Sequence, residues 1–367
     1  MKHSAAILTL AALLMVKPAS AAGPDPAAID AYVRAEMGRL HVPGLSLAVV
    51  KDGQVVYQQA YGLANVELNV PVTADTVFQI QSITKTFTAT AVMMLVEDGK
   101  LALDNPIGKY LDGTPESWNA ITLRHLLSHT SGIKDFINEP TASLRIDVTE
   151  QEVFDATAPR PLNFTPGEKY AYSNTNYHLL AMIIRKVTGQ SYADFLAERV
   201  FRPLGMDHTR VQDLSALIPG RADGYLWRDD RLVHGEYIAQ SILSYGGGGI
   251  LSTTTDLAKW DAALRTEKLL KKSTLEQMFT PVTLNDGGKS TYGLGWGVGA
   301  YQGHRFVGHS GGHVTGFQSY IRRYLDEGLT VIVLVNQNGE GEPKTLAEHV
   351  VAMVDPTLAP PSEPPHP

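Results

Sequence analysis

The stretch FQIQSITKTFTATAVMMLVEDGK, Phe78–Lys100, sets a serine and a lysine three residues apart, Ser82 and Lys85, at the head of an apolar run. Its spacing predicts a helix over Ser82–Asp98, with Gly99 as the C-terminal stop. Ala91–Glu97 is apolar on nearly every side, so this helix is expected in the interior. Residues three apart on a helix share a face, which points the Lys85 amine at the Ser82 hydroxyl. One reading is a serine that caps a helix beside an incidental lysine. The other is an activated nucleophile. A serine hydroxyl attacks poorly until a base takes its proton, a lysine in a dry pocket gives up its own proton more easily, and a helix N-terminus favours a developing oxyanion. The same spacing recurs at Ser131-Gly132-Ile133-Lys134, but Gly132 within SHTSGIKDF argues against a helix there.

Upstream, Ala27–Leu40 has apolar residues at helical spacing: Ile29, Val33, Met37 and Leu40. LSLAVVKDGQVVYQQAYG, Leu45–Gly62, then places two β-rich runs around Asp52-Gly53, a hairpin signature. At the far end GFQSYIRRYLDEGLTVIVLVNQ, Gly316–Gln337, predicts a second strand pair turning at Asp326-Glu327-Gly328, followed by a helix over Pro343–Val354. Further helices are expected at Thr122–Ser128, Asn174–Thr188, Tyr192–Val200 and Thr255–Leu264. Strands at both ends with helices between them give an α+β fold: one antiparallel sheet built from both chain ends, flanked by terminal helices, with a mostly helical region inserted. The expected organisation is a single domain over 22–355, its sheet part near 27–80 and 290–355 and its helical part near 81–289. The glycines at 246–249 and at 293, 295, 297 and 299 read as close-packed loops, and 356–367 as a Pro-rich disordered tail.

The chain of 367 residues opens with a basic Lys2, an apolar run Ala5–Val16 and Ala19-Ser20-Ala21. That is a secretory signal pattern over 1–21, cut near Ala21 or Ala22, and implies a periplasmic or secreted protein. The run is shorter than the roughly 20 residues that span a bilayer, which disfavours an uncleaved anchor, so no stable membrane insertion is expected after cleavage. Loss of Lys2 and Lys17 takes the formal charge from −7 to −9, with 29 basic against 38 acidic residues, a poor surface for nucleic acid. No cysteine is present, so neither disulfides nor thiol chemistry is available.

Two more elements bear on the Ser82–Lys85 pair. YAYSNTNY, residues 170–177, holds Tyr172-Ser173-Asn174 ahead of a helical run. VGHSGGHVTGF, residues 307–317, holds His309-Ser310-Gly311-Gly312 ahead of the last strand pair. In order and separation these resemble the serine β-lactamase and penicillin-binding-protein superfamily, above all its class C β-lactamase, D-peptidase and family VIII esterase branch. VFQIQSITKTFTA, LLSHTSGI, FTPGEKYAYSNTNYHLL and YGLGWGV extend the likeness over roughly Ile29 to Gln337. The resemblance implies a β-lactamase/transpeptidase-like fold and assigns roles by position. Ser82 is the acylated nucleophile, Lys85 its lysine partner and Tyr172 the proton shuttle. Asn174 bonds Lys85 and the substrate. His309, with Ser310 and Gly311, forms the substrate-binding strand edge, and the Ser82 and Gly312 amides form the oxyanion hole. Tyr172 is preferred to Tyr170 by the Tyr-x-Asn register.

The third element departs from the Lys-Thr-Gly of most β-lactamases. A neutral His309 offers less charge to a substrate carboxylate, which weakens the β-lactamase reading. No Glu-x-x-Leu-Asn stretch supplies a class A deacylation base, and Glu97 lies at the wrong end of its helix. A metal site at His304, His309 and His313 is disfavoured by the intervening glycines and the lack of a joining carboxylate. The glycines of 293–299 precede no helix, so they are no nucleotide loop. His129 is expected to brace a turn. The reading is an exported serine hydrolase acting through an acyl-enzyme on esters or amides, as an esterase or D-amino-acid peptidase, with no cofactor and no metal. A class C-like β-lactamase and a non-turnover penicillin-binding sensor or scaffold are the alternatives. The partner is a small molecule or short peptide; the oligomeric state is left open.

Overall fold

The structure is a computed structural model and describes residues 25–137, 145–239, 246–339 and 343–359. The expected signal peptide and most of the expected tail lie outside these residues. Among the described residues no helix is long and apolar enough to cross a membrane.

Helix α1 (Pro26–Arg39) starts at Asp25, whose carboxylate accepts from the Ala27 amide at 3.0 Å. Strands β1 (Gly44–Lys51) and β2 (Gln54–Asn65) form the expected hairpin, closed by Asp52 and Gly53 at φ 49° and 79°. Both values are left-handed, as a tight hairpin between right-twisted strands requires. The sheet continues with β3 (Val70–Pro71) on one side. From the far end of the chain come β4 (Gly297–Tyr301), β5 (His304–His313), β6 (Phe317–Tyr324) and β7 (Leu329–Val335). The order is β3-β2-β1-β7-β6-β5-β4, and β1 pairs with β7 antiparallel from Leu45↔Val335 to Lys51↔Leu329. The two chain ends thus close one seven-stranded antiparallel sheet.

Both sheet faces are covered, so β1 and β7 are buried almost throughout. Ile29 and Val33 of α1, with Leu346, Val350 and Val351 of the C-terminal helix Pro343–Val354, cover one face over Leu45, Leu47, Val331 and Val333. The other face packs Ile321, Ile332 and Leu334 against helix α2 (Thr84–Glu97) and its neighbours. Every residue of α2 from Thr84 to Leu95 is buried. Its threonines fit there because their hydroxyls are bonded: Thr86 to the Ile83 carbonyl, Thr88 to the Gly246 carbonyl and Thr90 to the Thr86 carbonyl.

Helix α3 (Asn174–Thr188) has the bounds expected of it, ending at Gly189 with φ 73°. Other segments differ. The expected helix at Tyr192–Val200 is α-helical over Tyr192–Leu196 and then widens to a π turn over Ala197–Phe201. Glu150–Thr157 and Lys272–Met278 are helices that periodicity did not pick out; the first carries a Thr149/Glu152 capping box that was there to be read. Gly297 and Gly299, expected in a loop, lie in β4, where a Cβ on Gly299 would come within 2.7 Å of the Phe306 ring. The chain beyond 355 does not leave the fold at once: Pro356–Leu358 form a 3-10 turn that buries Leu358.

Candidate active site

Ser82 sits in a 3-10 turn, Gln81–Ile83, that feeds α2; the continuous α-helix expected from Ser82 starts two residues later, at Thr84. Gln81, just before it, has φ 48°, a left-handed conformation unusual for a residue with a side chain. The strain is held in place. Gln81 Nε2 donates to Gln79 Oε1 and to Thr315 Oγ1, both at 2.9 Å, and Ser319 Oγ donates to the Ile80 carbonyl at 2.7 Å. Gly311 of β5 presses on the same turn, where a Cβ would lie 2.7 Å from the Ile80 oxygen, so only glycine permits the approach. The turn presents Ser82 partly open to solvent while α2 runs back into the core.

Lys85, one turn on, is wholly buried. Its Nζ lies 3.1 Å from Ser82 Oγ, 2.8 Å from Asn174 Oδ1 and 2.7 Å from the Gly247 carbonyl, and stands over the Tyr172 ring at 4.8 Å from the centroid. Burial drives its pKa down from the usual lysine value to about 7, against the opposing pull of the Asp135 carboxylate. Tyr172 exposes 37% of its surface, yet its hydroxyl end is desolvated. That desolvation pushes its pKa up, and a hydrogen bond with the Ser82 side chain offsets only part of the rise. Tyr172 is therefore a phenol, not a phenolate, at neutral pH. His129 stacks on its ring at 4.2 Å, and its Nδ1 accepts from the Ser173 amide at 3.1 Å. His129 braces this loop, and burial, helped by the Lys85 charge, keeps it neutral.

His309 is buried beside this group, its ring centroid 6.3 Å from that of Tyr172. Its Nδ1–H donates to the Ser310 carbonyl at 2.6 Å, since a carbonyl can only accept, and its Nε2 then accepts from the Tyr292 hydroxyl at 2.8 Å. Burial and then the Lys85 charge lower its pKa to about 3, so it is neutral across the working range. Both ring nitrogens are thereby engaged within the protein. Ser310 and Gly312 lie on the open side of β5. A cleft of about 380 Å³ runs past Ser310 and His309, walled by Tyr170, Tyr172, Tyr292, Phe306 and Tyr320, with Arg322 and Lys344 among its lining.

Ser82, Lys85, Tyr172 and Asn174 are thus brought together, with His309 alongside. The second Ser-x-x-Lys is not. Ser131 is buried, donating to Asn176 Oδ1 at 2.7 Å, and Gly132 has φ 77°. His304 pairs with Glu327, away from His309, and among the described residues no three His, Cys, Asp or Glu side chains gather as a metal site would need. Sequence reasoning missed Asp135, the Gly247 carbonyl and Tyr292. Asp135 stands directly after the second Ser-x-x-Lys, and Tyr292 heads YGLGWGV, a stretch noted above without a role.

A Ser–Lys pair at the start of a buried helix, faced by a Tyr-x-Asn loop and by the glycine-bearing edge of an antiparallel sheet, defines a β-lactamase-like serine-hydrolase fold. The chain belongs to the Beta-lactamase family, whose pattern matches residues 29–354. It is 34% identical to Penicillin-binding protein 4* of Bacillus subtilis over 337 residues, covering 86% of this chain and 74% of that protein. Among solved structures it resembles the octameric penicillin-binding protein homologue of Pyrococcus abyssi, with TM-score 0.78, 31% identity and coverage of 90% of this chain and 77% of that one. It also resembles a D-stereospecific amidohydrolase from Streptomyces sp., with TM-score 0.76, 27% identity and coverage of 90% and 99%.

Proposed function

We propose that this protein is an exported serine hydrolase that acylates Ser82 with the acyl group of an ester or amide and then releases it to water. The observation that carries the reading is the state of Lys85. A neutral amine has two N–H donors and one lone pair. Asn174 Oδ1 and the Gly247 carbonyl can take the two donors, which leaves the lone pair for the third neighbour, the Ser82 hydroxyl. With a pKa of about 7 the amine is half neutral near physiological pH, poised as a base. It takes the Ser82 proton as Oγ attacks the substrate carbonyl. The oxyanion meets the Ser82 and Gly312 amides. The Tyr172 hydroxyl, still protonated, hands a proton to the leaving group and takes in its place the one that Lys85 received from Ser82, so the acyl-enzyme is left with a neutral amine and a phenol. Water then follows the same path in reverse.

The aromatic walls of the cleft suit an apolar substrate group, and Lys344 in its lining suits a carboxylate; Arg322 is already paired with Glu348. With the likeness to a D-stereospecific amidohydrolase, this favours amides and short peptides of D-amino acids. Labelling with a fluorophosphonate, followed by turnover of a D-amino-acid amide, a p-nitrophenyl ester and nitrocefin, tests the reading. Label on Ser82 and turnover of the amide or ester are expected. Nitrocefin as the best substrate would make it a β-lactamase, a stoichiometric burst without turnover would make it a sensor, and no label on Ser82 would overturn the acyl-enzyme.

A further inference from the structure

An amide side chain has two nearly equal ends, and nothing in Asn174 itself decides which one faces Lys85. If the NH₂ end faced the amine, Lys85 would lose an acceptor and be crowded by a donor. We propose that Asp135 is the positioning residue of this site: its carboxylate, which can only accept, fixes the Asn174 amide with its oxygen toward Lys85. Asp135 Oδ2 accepts from Asn174 Nδ2 at 2.9 Å, while Asn174 Oδ1 accepts from Lys85 at 2.8 Å. The carboxylate is itself placed with care. Its Oδ1 accepts from the Ile137 amide at 3.2 Å. Thr175, the next residue of α3, grips the loop on both sides of it: Thr175 Oγ1 donates to the Lys134 carbonyl at 2.7 Å and accepts from the Phe136 amide at 3.0 Å. One short segment of α3 therefore presents Asn174 to Lys85 and holds the residue that orients it.

The charge of Asp135 has a second effect. The titratable groups around Lys85 are Tyr172 and Tyr177, whose rings lie 4.8 and 5.5 Å from its Nζ, the histidines His129, His309 and His313, and Asp135. The tyrosines are held protonated by burial and burial lowers all three histidine pKa values, so Asp135 is the anion that keeps the Lys85 proton on. Removing the charge should lower the lysine pKa further, and removing the acceptor should free the amide.

This inference rests on the acyl-enzyme reading, and the test separates the two. Asp135→Asn keeps an acceptor oxygen but not the charge; Asp135→Ala keeps neither. For Asp135→Ala we expect kcat to fall about 10–100-fold, the range of a supporting contact whose loss loosens a reacting group, with KM within about threefold. Asp135→Asn should keep kcat within about threefold. In both, the acidic limb of the pH profile of kcat/KM should move to lower pH, and so should the midpoint of the Lys85 side-chain NMR titration, which needs no turnover. A purely structural role would move neither the limb nor the midpoint. Wild-type kcat in Asp135→Ala, or a Lys85 midpoint unmoved in both variants, overturns the assignment even if Ser82 takes label. If wild-type Ser82 takes no label but the midpoint moves, and moves further in Asp135→Ala than in Asp135→Asn, the orientation role stands and the acyl-enzyme falls. If Asp135→Ala does not fold, the limb and midpoint of Asp135→Asn decide alone.

Discussion

Ser82-Ile83-Thr84-Lys85 and Ser131-Gly132-Ile133-Lys134 share a spacing and almost nothing else. In the first, the chain winds helically from Ser82 onward, so the two side chains meet on one face with 3.1 Å between Nζ and Oγ. In the second, Gly132 at φ 77° turns the backbone the other way, and Lys134 accepts through its carbonyl from Thr175 Oγ1. Burial is inverted as well. Ser82 is partly open and Lys85 dry; Ser131 is 1% exposed and Lys134 partly open. A nucleophile must be reachable and its base desolvated, so only the first order of burial can support acyl transfer. Spacing names candidates, and the backbone path and the direction of burial choose between them.

The largest effect that could break this comparison is at the serines. Ser82→Ala should lower kcat by about 10⁴-fold or more, the scale of losing a nucleophile, and abolish the fluorophosphonate adduct in the intact mass. Ser131→Ala should keep most of both. An adduct on Ser131 would reverse the assignment.

The lysines come next. Lys85→Ala should lower kcat by about 10²–10⁴-fold, the usual share of general acid–base catalysis, while Lys134→Ala changes it less than about twofold, because its carbonyl contact survives. If the neutral amine is the base, as proposed, kcat/KM should rise with pH through the Lys85 pKa of about 7 and be lost below it. Lys85→Arg, which stays charged at every pH used, should not recover activity. A profile flat from pH 5 to 8, measured with a neutral ester whose uncatalysed hydrolysis is subtracted, would show that Lys85 is not the titrating base.

Much of this was legible beforehand, for reasons that differ by residue. The hairpin at Asp52-Gly53 and the bounds of α3 are local matters, set by turn chemistry and a glycine stop. That Ser82, Lys85, Tyr172 and Asn174 would lie together follows from motif order, because Ser82 and Lys85 share one helix start and Tyr172 and Asn174 the start of another. Asp135 was illegible because its function comes from a contact with a residue 39 positions away, through a loop whose path depends on Thr175. The Gly247 carbonyl was illegible because every residue has a carbonyl and only the fold aims this one. His309 is expected from the sequence to be neutral and to form the substrate-binding strand edge; it is neutral, but its one N–H is turned to Ser310. The helical start of α2 was misplaced by two residues because the strain at Gln81 is sustained by side chains far away in sequence, Thr315 among them.

Gly132 gives a smaller effect, on stability. Any L side chain there faces two penalties, a positive φ and a Cβ placed 2.2 Å from the Phe164 oxygen. Gly132→Ala should destabilise the protein by about 2–4 kcal/mol, in the range of strained or overpacked sites, as a lower urea midpoint. A change below about 0.5 kcal/mol, the level of a neutral surface substitution, would mean that the loop moves easily and that glycine is not what separates the two stretches.

The smallest effect is that of Ser131→Ala on stability, and it asks whether the second serine is an inert brace or a hidden part of the site. Ser131 Oγ donates to Asn176 Oδ1 at 2.7 Å and accepts from the Ile133 amide at 3.1 Å. Asn176 Nδ2 in turn lies 3.3 Å from His129 Nδ1, and His129 stacks under Tyr172. Removing the hydroxyl leaves a buried amide oxygen and a backbone N–H without this partner, at a cost of about 1–2 kcal/mol for imperfectly relieved desolvation. The path onward to Tyr172 is a stack of rings with no proton to pass, because Nδ1 is an acceptor held by the Ser173 amide and burial keeps the ring neutral. The variant should therefore unfold at lower urea while its kcat stays within about threefold of wild type, the scale of a small shift in a supporting contact. Chemical denaturation and steady-state kinetics on the same preparation separate the terms. A loss of about 10²-fold in kcat, the share of general acid–base catalysis, with stability intact would show that the Ser131 cluster governs the Tyr172 hydroxyl, and the division between a reacting stretch and a bracing one would fail.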